Sequence, residues 1–396
     1  MQACIASEMD TNTAHSLIFK SYNPFSEYSL VEDIWISMLQ ECPHTYYLSW
    51  QWIDIWLKSL PSDCKIELVV GFIDDVPNIA FFLGTGTTTL CKFLAFNQVS
   101  LNQTLIHDID VATYVEYNTI LIKPTTTISL GSLLGILPVE SWDEFQIERY
   151  SSNYNSNFTI DDIPVEKYHI TAKKISSYYV DLDKVRRNNN DYLGLLSRNR
   201  RKRILRAQKD YEKLGEIRLH SAENLGEAFK ILDELIHLHR KRWTAQGFPG
   251  AFSTKYFMHF HKALISERFG YGEIQLLKIS SGNKTIGCIY NYVYNGEIYT
   301  ISGGFNYALG DLSLPGFVCD YYTVLHYAAL GFKRYDFMSG DVEYKESLST
   351  DKNEMYTITI QKRNLKHHIQ KMAHTKAIRK ITGLIKRFID RKSVDG

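Results

Sequence analysis

"IQLLKISSGNKTIGCIYNYVYNGEIYTISGGFN", Ile274 to Asn306, is the stretch on which the fold depends. It is rich in apolar and aromatic residues, and two tight-turn signals cut it in three, at Ser281-Gly282 and at Asn295-Gly296. Asn-Gly accepts the left-handed backbone of a two-residue hairpin at little steric cost, so the spacing predicts three consecutive antiparallel strands. The period then changes. "PGFVCDYYTVLHYAALG", Pro315 to Gly331, sets Phe317, Tyr321, Val324, Leu325 and Ala328 along one side at helical spacing, with Pro315 in the first turn and Gly331 at the stop. "FKRYDFMSG" alternates again, as the end of a strand does. Meander, helix and strand together read as an antiparallel sheet closed by a βαβ crossover.

Upstream, "STKYFMHFHKALISERFG" reads as a helix opened by Ser253 or Thr254 and closed by Gly270. "NLGEAFKILDELIHLHRKRW" is amphipathic, with Leu225, Ala228, Phe229, Leu232, Leu235, Ile236, His239 and Trp243 on its packed side. "SYYVDL" is a short strand, "NDYLGLLSRNRRKRILRAQKDYEKLG" a helix running into a basic segment, and "EIRLHS" a strand. The first half opens with helices in "SLVEDIWISMLQ" (Leu30, Ile34 and Leu39 on one face) and "SWQWIDIWLKSL" (Trp52, Ile55, Trp56 and Leu60). "IELVVGFIDDVPNIAFFLGTG" then reads as strand, turn at Asp74-Asp75, and strand; "TLCKFLAFNQV" is one more strand, and 151–164 a polar loop. Helices followed by strand, tight turn and strand thus occur twice, which indicates a duplicated α/β unit.

The 396 residues exceed one ordinary core, and the chain divides into units over 1–170 and 171–363 with a basic tail over 364–396. From Gln361 onward there are 11 Lys and Arg, with Ile378, Ile381, Ile385 and Phe388 at helical spacing, a pattern that fits an anionic membrane surface as well as a soluble end. Net charge is +1, so the molecule as a whole has no electrostatic pull on nucleic acid. The basic run Arg198 to Lys209 is local: either a solvated helix face, or a clamp for an anionic acceptor or a tRNA acceptor stem. Cys4, Cys42, Cys64, Cys91, Cys288 and Cys319 form no C-x-x-C pair and read as reduced thiols, with no metal site. The first residues lack a basic and an apolar signal region, and no apolar run approaches the roughly 20 residues of a membrane span. A cytoplasmic protein is expected.

Chemistry concentrates at "YDFMSGDVEYKESLS", Tyr335 to Ser349, where Gly340, Asp341, Glu343, Tyr344 and Lys345 crowd into one loop after a strand end. The helix opening at Pro315 follows a strand and a glycine-containing loop (Gly303, Gly304, Gly310), and its free N–H groups and dipole favour a pyrophosphate. Acyl transfer needs a base for the attacking amine or hydroxyl, for which Asp341, Glu343 and His239 are candidates. It also needs a donor for the oxyanion, for which Lys345 is suited, and an acid for the leaving group, Tyr344 or Tyr299. Asp336 reads equally as a strand cap, His239 and Trp243 as core, and Arg242 as a phosphate ligand or a solvent-facing cation.

Four segments, "LLSRNRRKRILRAQKDYEKLG", "LHRKRW" with "GFPGAFS", "ISGGFNYALGDLSLPG" and "YDFMSGDVEYKESL", come in an order and spacing that resemble the GNAT-superfamily domain of CelD-like proteins of polysaccharide biosynthesis. They are also similar to Fem-type aminoacyltransferases. The likeness covers about Tyr178 to Arg363; the first unit resembles the divergent first unit of such tandem proteins. It implies an α/β protein of tandem GNAT-like units, each a mixed, mainly antiparallel sheet flanked by helices. It further implies acyl, chiefly acetyl, transfer from acyl-coenzyme A to an amine or hydroxyl of a cell-envelope or exopolysaccharide precursor, without a metal. The cofactor would sit on Leu314, Pro315, Gly316 and Phe317, and the acceptor near Arg242, Trp243, Tyr299, Gly304, Asp336 and Gly340. Lys345 matches a lysine that contacts the acyl-ester region in Fem-type enzymes. The glycine-rich pyrophosphate signature R/Q-x-x-G-x-G/A is absent, with "DLSLPG" in its place. An aminoacyl-tRNA donor, or a non-catalytic binding protein of the same fold, are therefore the alternatives.

Overall fold

The Ile274–Asn306 stretch forms three hairpin-linked strands in the computed structural model, which describes residues 17–90, 94–137, 141–247, 250, 252, 254–308, 314–340, 342–364 and 366. The first half contains β1 (Ile18–Tyr22), α1 (Tyr28–Leu39), α2 (Trp50–Ser59), β2 (Ile66–Ile73), β3 (Val76–Leu90), β4 (Leu94–Leu101), α3 (His107–Asp110), β5 (Leu121–Ile122), β6 (Ile128–Ser129), α4 (Leu130–Ile136), β7 (Glu144–Tyr150) and β8 (Phe158–Thr159). The second contains β9 (Tyr168–Asp181), α5 (Leu182–Arg187), α6 (Tyr192–Leu195), α7 (Arg198–Glu212), β10 (Ile217–Ser221), α8 (Leu225–Ala245), α9 (Lys255–Arg268), β11 (Ile274–Ser281), β12 (Lys284–Tyr294), β13 (Glu297–Phe305), α10 (Pro315–Ala329), β14 (Arg334–Asp336), α11 (Val342–Glu346) and β15 (Asp351–Lys362). Local chemistry accounts for the breaks. Asp74 and Asp75 (φ 50° and 59°) and Asn295 and Gly296 (φ 49° and 81°) supply the paired left-handed residues of two tight hairpins. Asn224 and Thr254 cap α8 and α9 by accepting from the N–H of Glu227 and Phe257.

One mixed sheet runs through both halves in the order β1-β2-β3-β4-β7-β15-β9-β14-β13-β12-β11-β10, with β5 beside β3. Read inward from its two edges, it repeats itself. Each unit has an edge strand, two helices, three antiparallel strands, and then a parallel neighbour: β4 beside β7, and β13 beside β14. At the centre the units exchange strands. β9 follows the first unit but pairs with β14; β15 follows the second but pairs with β7; and β9 and β15 pair along Asp351–Lys362. On one face α1 and α2 meet α8 and α9 over a joint core that includes Trp35, Trp52, Trp56, Leu235, Phe260 and Tyr292. On the other, α5, α6, α7 and α10 cover β11 to β14.

Several expectations change. The packed face of α1 is Val31, Ile34, Trp35 and Met38, while Leu30 is exposed. "SYYVDL" is only the end of the 14-residue β9, so the 170/171 boundary falls inside a strand. The basic helix is two helices, because Ser197 caps α7 through the N–H of Arg200. α10 is packed on two sides: Asp320, Thr323 and Tyr327 are buried, and Tyr321 and Leu325 only half so. Trp243, placed in the core by periodicity, is 38% exposed near the end of α8. Cys42, Cys64, Cys288 and Cys319 are buried free thiols, whereas Cys4, Cys91, Gly310, Asp341 and the tail beyond Lys366 lie outside the described residues.

Candidate active site

β13 and β14 pair in parallel only from Glu297/Arg334 to Tyr299/Asp336, and then separate. β13 continues to Phe305; its register with β12 slips at Ile301, since Tyr290 faces Ser302 and Asn291 faces Thr300. The chain after β14 bends through Met338 (φ 64°) and Gly340 (φ 93°) into α11. Glu343, Tyr344 and Lys345 therefore stand on a helical turn rather than in an open loop. The start of α10 fits between the end of β13 and α11. A Cβ on Gly316 would come within 2.7 Å of the Tyr344 hydroxyl and 3.3 Å of Phe305, so any larger residue would have to displace the Tyr344 side chain. Leu314, immediately before, is left-handed (φ 69°). Two strained non-glycine residues, Leu314 and Met338, thus flank the site, and each costs on the order of 1–3 kcal/mol that the surrounding structure must supply.

A polar cluster surrounds this helix start. The Phe317 ring lies 4.4 Å from that of Tyr344, and the Arg200 guanidinium packs 4.1 Å over Phe317. Arg200 Nη1 is buried and makes no hydrogen bond. Burial, then the neighbouring Arg203, lowers its proton affinity, against the opposing pull of Tyr344, Glu343 and Tyr192. Tyr344 donates to Asp320 Oδ2 at 2.6 Å, and Tyr335 approaches Oδ1 at 3.4 Å. Burial pushes the Asp320 carboxyl up to about 7, against the opposing pull of these hydrogen bonds and of Lys345. Lys345 Nζ donates to the Ser339 carbonyl and so ties α11 to the bend at Gly340. Glu343 is exposed, and Asp341 lies outside the described residues.

The first unit holds the other side of the bend. Glu116 Oε1 accepts from the Ser339 N–H at 2.5 Å, and Oε2 forms an ion pair with Arg149 at 2.9 Å. Tyr117, left-handed at φ 56°, donates to Asp336 Oδ2, while Ser177 donates to Oδ1 at 2.9 Å and the Met338 N–H at 2.7 Å. Asp336 is wholly buried, its carboxyl pushed up to about 6 by burial against these bonds. It is therefore a link between the units and not an exposed cap.

The remaining candidates are scattered. The Tyr299 hydroxyl donates to Glu297 at 2.7 Å within the core. Gly304 lets α8 approach β13, since a Cβ there would lie 2.3 Å from the Leu235 carbonyl. His239 packs 4.9 Å from Phe252, with Nδ1 unpartnered and its proton affinity lowered to about 4 by burial. Arg242 stacks 4.2 Å over Tyr307, just beyond β13. Pro315, Gly316 and Phe317 are buried beneath the cluster rather than open to solvent. Asp320, Glu116 and Tyr117 carry no signal in the sequence, and Arg200 is marked there only as one member of the basic run Arg198 to Lys209. The position of Arg200 three residues after the Ser197 cap puts it in the first turn of α7, where it packs on Phe317 of α10. Among the described residues no group of His, Cys, Asp and Glu is placed to hold a metal, and no helix is long and apolar enough to cross a membrane.

The segment 198–346 matches the acetyltransferase (GNAT) domain family. No curated protein matches the chain. Among solved structures, a conserved protein of unknown function from Bacteroides thetaiotaomicron is similar at 11% identity, with 88% of this chain and 100% of that one covered and a TM-score of 0.49. FemX is similar at 10% identity over 82% and 95% (TM-score 0.48), and a tandem GNAT protein from the clavulanic acid biosynthesis pathway at 10% over 88% and 99% (TM-score 0.43). Arg200, Asp320, Phe317 and Tyr344 all lie inside the segment 198–346 that matches the acetyltransferase (GNAT) domain family.

Proposed function

We propose that the protein transfers an acyl group, chiefly acetyl, from acyl-coenzyme A to an amine or hydroxyl of a cell-envelope or exopolysaccharide precursor. The observation that carries the donor is Arg200. A buried guanidinium nitrogen without a partner, held on Phe317 at the first turn of α10, fits a phosphate oxygen. The first-turn N–H groups of Gly316 and Phe317 have no intrahelical acceptor and lie at the positive end of the α10 dipole. Arg200 and these N–H groups thus replace the missing glycine-rich signature. When bound, the coenzyme would supply an acyl thioester.

Tyr344 is the proton donor of this arrangement. Its hydroxyl proton already lies on a hydrogen bond to Asp320, whose carboxyl titrates near neutrality, so the pair can release a proton and recover it. Lys345 acts through Ser339, fixing the bend on which Gly340 sits. Thiol release from acetyl-coenzyme A in the presence of amino and hydroxyl sugars is the test. The native chain should release thiol, and Tyr344→Phe should do so at least about ten-fold more slowly.

A second reading, an aminoacyl-tRNA donor, rests on one observation. Arg198, Lys202, Arg203, Arg206 and Lys209 are exposed along α7 beside Arg200 and make no ion pair among the described residues. Transfer from aminoacyl-tRNA with none from acetyl-coenzyme A would favour it.

A further inference from the structure

A second polar cavity lies where the units meet, on the opposite side of β13 from α10. It has a volume of about 80 Å³ and is lined by Tyr47, Trp52 and Tyr114 of the first unit and by His261, Tyr292 and Ser302 of the second. Val111, 41% exposed, forms its rim. Tyr47, Trp52 and His261 are 2%, 1% and 3% exposed, yet Tyr47 Oη, Trp52 Nε1 and His261 Nε2 make no hydrogen bond. His261 Nδ1 faces the hydroxyls of Tyr290 and Tyr292 at 3.3 and 3.4 Å, and the Ala112 backbone beside the ring opposes the effect of burial on it. Trp52 has Tyr292 beside it and His261 the Ala112 backbone, each short of good hydrogen-bond geometry, which leaves the Tyr47 hydroxyl as the group with no partner, at a cost on the order of 1–3 kcal/mol unless something in the cavity meets it.

The lining restricts the occupant. No ionised side chain lines the cavity, and burial keeps His261 neutral, its proton affinity lowered to about 3. An anion or a cation would therefore be desolvated without a counter-charge. Aromatic faces from Tyr47, Trp52 and Tyr292 suit the C–H face of a saturated ring, while a phenol, an indole N–H and an imidazole nitrogen suit hydroxyls on its edge. The volume holds several waters, at roughly 10–15 Å³ each, or one hydroxymethyl edge of a ring whose body rests at the Val111 rim. The site is also close to the chemistry. Ile301 and Ser302 line it at the register slip of β13, and Phe305, at the α10 start, follows Ser302 by only about 10 Å of strand.

We propose that this cavity takes the hydroxymethyl edge of an uncharged, hydroxylated ring of the pyranose type, whose body rests at the Val111 rim, and that it is the acceptor pocket. Its role as acceptor pocket rests on the acyl-transfer reading of the α10 site; the binding itself does not. Saturation-transfer NMR with methyl glucoside and methyl N-acetylglucosaminide, with glucuronate as the charged control, tests it on the full chain, alongside a thermal-shift titration with coenzyme A. Both neutral glycosides should receive saturation and glucuronate should not. The signal should weaken at least ten-fold in Val111→Trp, which fills the exposed rim without disturbing the core, and in His261→Phe, while Val111→Trp retains the coenzyme A shift. Absence of glycoside binding, equal binding by glucuronate, or undiminished binding by Val111→Trp would overturn the pocket and leave the coenzyme reading standing. Glycoside binding without a coenzyme A shift would support the pocket and remove the donor.

Discussion

Asp320 and Arg200 make the sharpest claims at the scale of single residues. A carboxyl whose value is near 7 when folded and about 3.9 when unfolded binds more protons in the native state between those values. Stability should therefore fall as pH rises through this window, by up to about 1.4 kcal/mol per unit from this group. Asp320→Asn keeps an acceptor for Tyr344 and cannot ionise. Denaturant unfolding at pH 5 and pH 8 should show a shallower loss in the variant, which ends up the more stable protein at pH 8. Asp336, raised to about 6, leaves a residual slope of the same sign. Parallel profiles for variant and native chain would refute the buried-carboxylate assignment. Little of this was legible in the sequence. The crowding at Gly340–Lys345 marked the right neighbourhood, but Arg200 is one of seven cations in a basic run, and only the packing distinguishes it. Tyr117 reaches Asp336 across 219 positions, a pairing that no local period encodes.

At the scale of elements, helix starts and close approaches decide the architecture. Pro315, the Asn-Gly turn and the alternation of β11 to β13 were all readable, because each depends on residues within one turn or hairpin. The packing of α10 beneath α11 was not, because it depends on which side chain lies over Gly316. Gly316→Ala should cost about 1–3 kcal/mol through overpacking against the Tyr344 hydroxyl. Tyr344→Phe removes the clashing oxygen, so the double variant should lose less than the sum of the two single losses. A double-mutant cycle in denaturant measures this, and additivity would mean that α11 does not rest on α10. Gly304→Ala meets a backbone carbonyl that cannot rotate away. It should separate α8 from β13 at the upper end of the same range, read as a lowered denaturation midpoint.

For the whole molecule, the duplication was visible as a repeated order of helices, strand, tight turn and strand. The exchange of β9 and β15 was hidden, since alternation gives a strand its faces but not its partner. That exchange, together with a core shared by α1, α2, α8 and α9, leaves neither unit a complete sheet of its own. Differential scanning calorimetry should therefore show one cooperative transition for both units, and two separated transitions would mean that they fold apart. The joint frame also places Glu116 and Tyr117 of the first unit under the bend that carries Ser339 and Gly340, so the site belongs to both units although the matched segment lies in one. The most direct test of the whole is calorimetric titration of coenzyme A into the native chain and into Arg200→Met. Methionine keeps the packing on Phe317 and removes only the charge and its hydrogen bonds. The expected result is saturable binding with one coenzyme per chain, weakened about ten-fold or more in the variant. No binding to the native chain at millimolar coenzyme A, or equal binding by the variant, would contradict it.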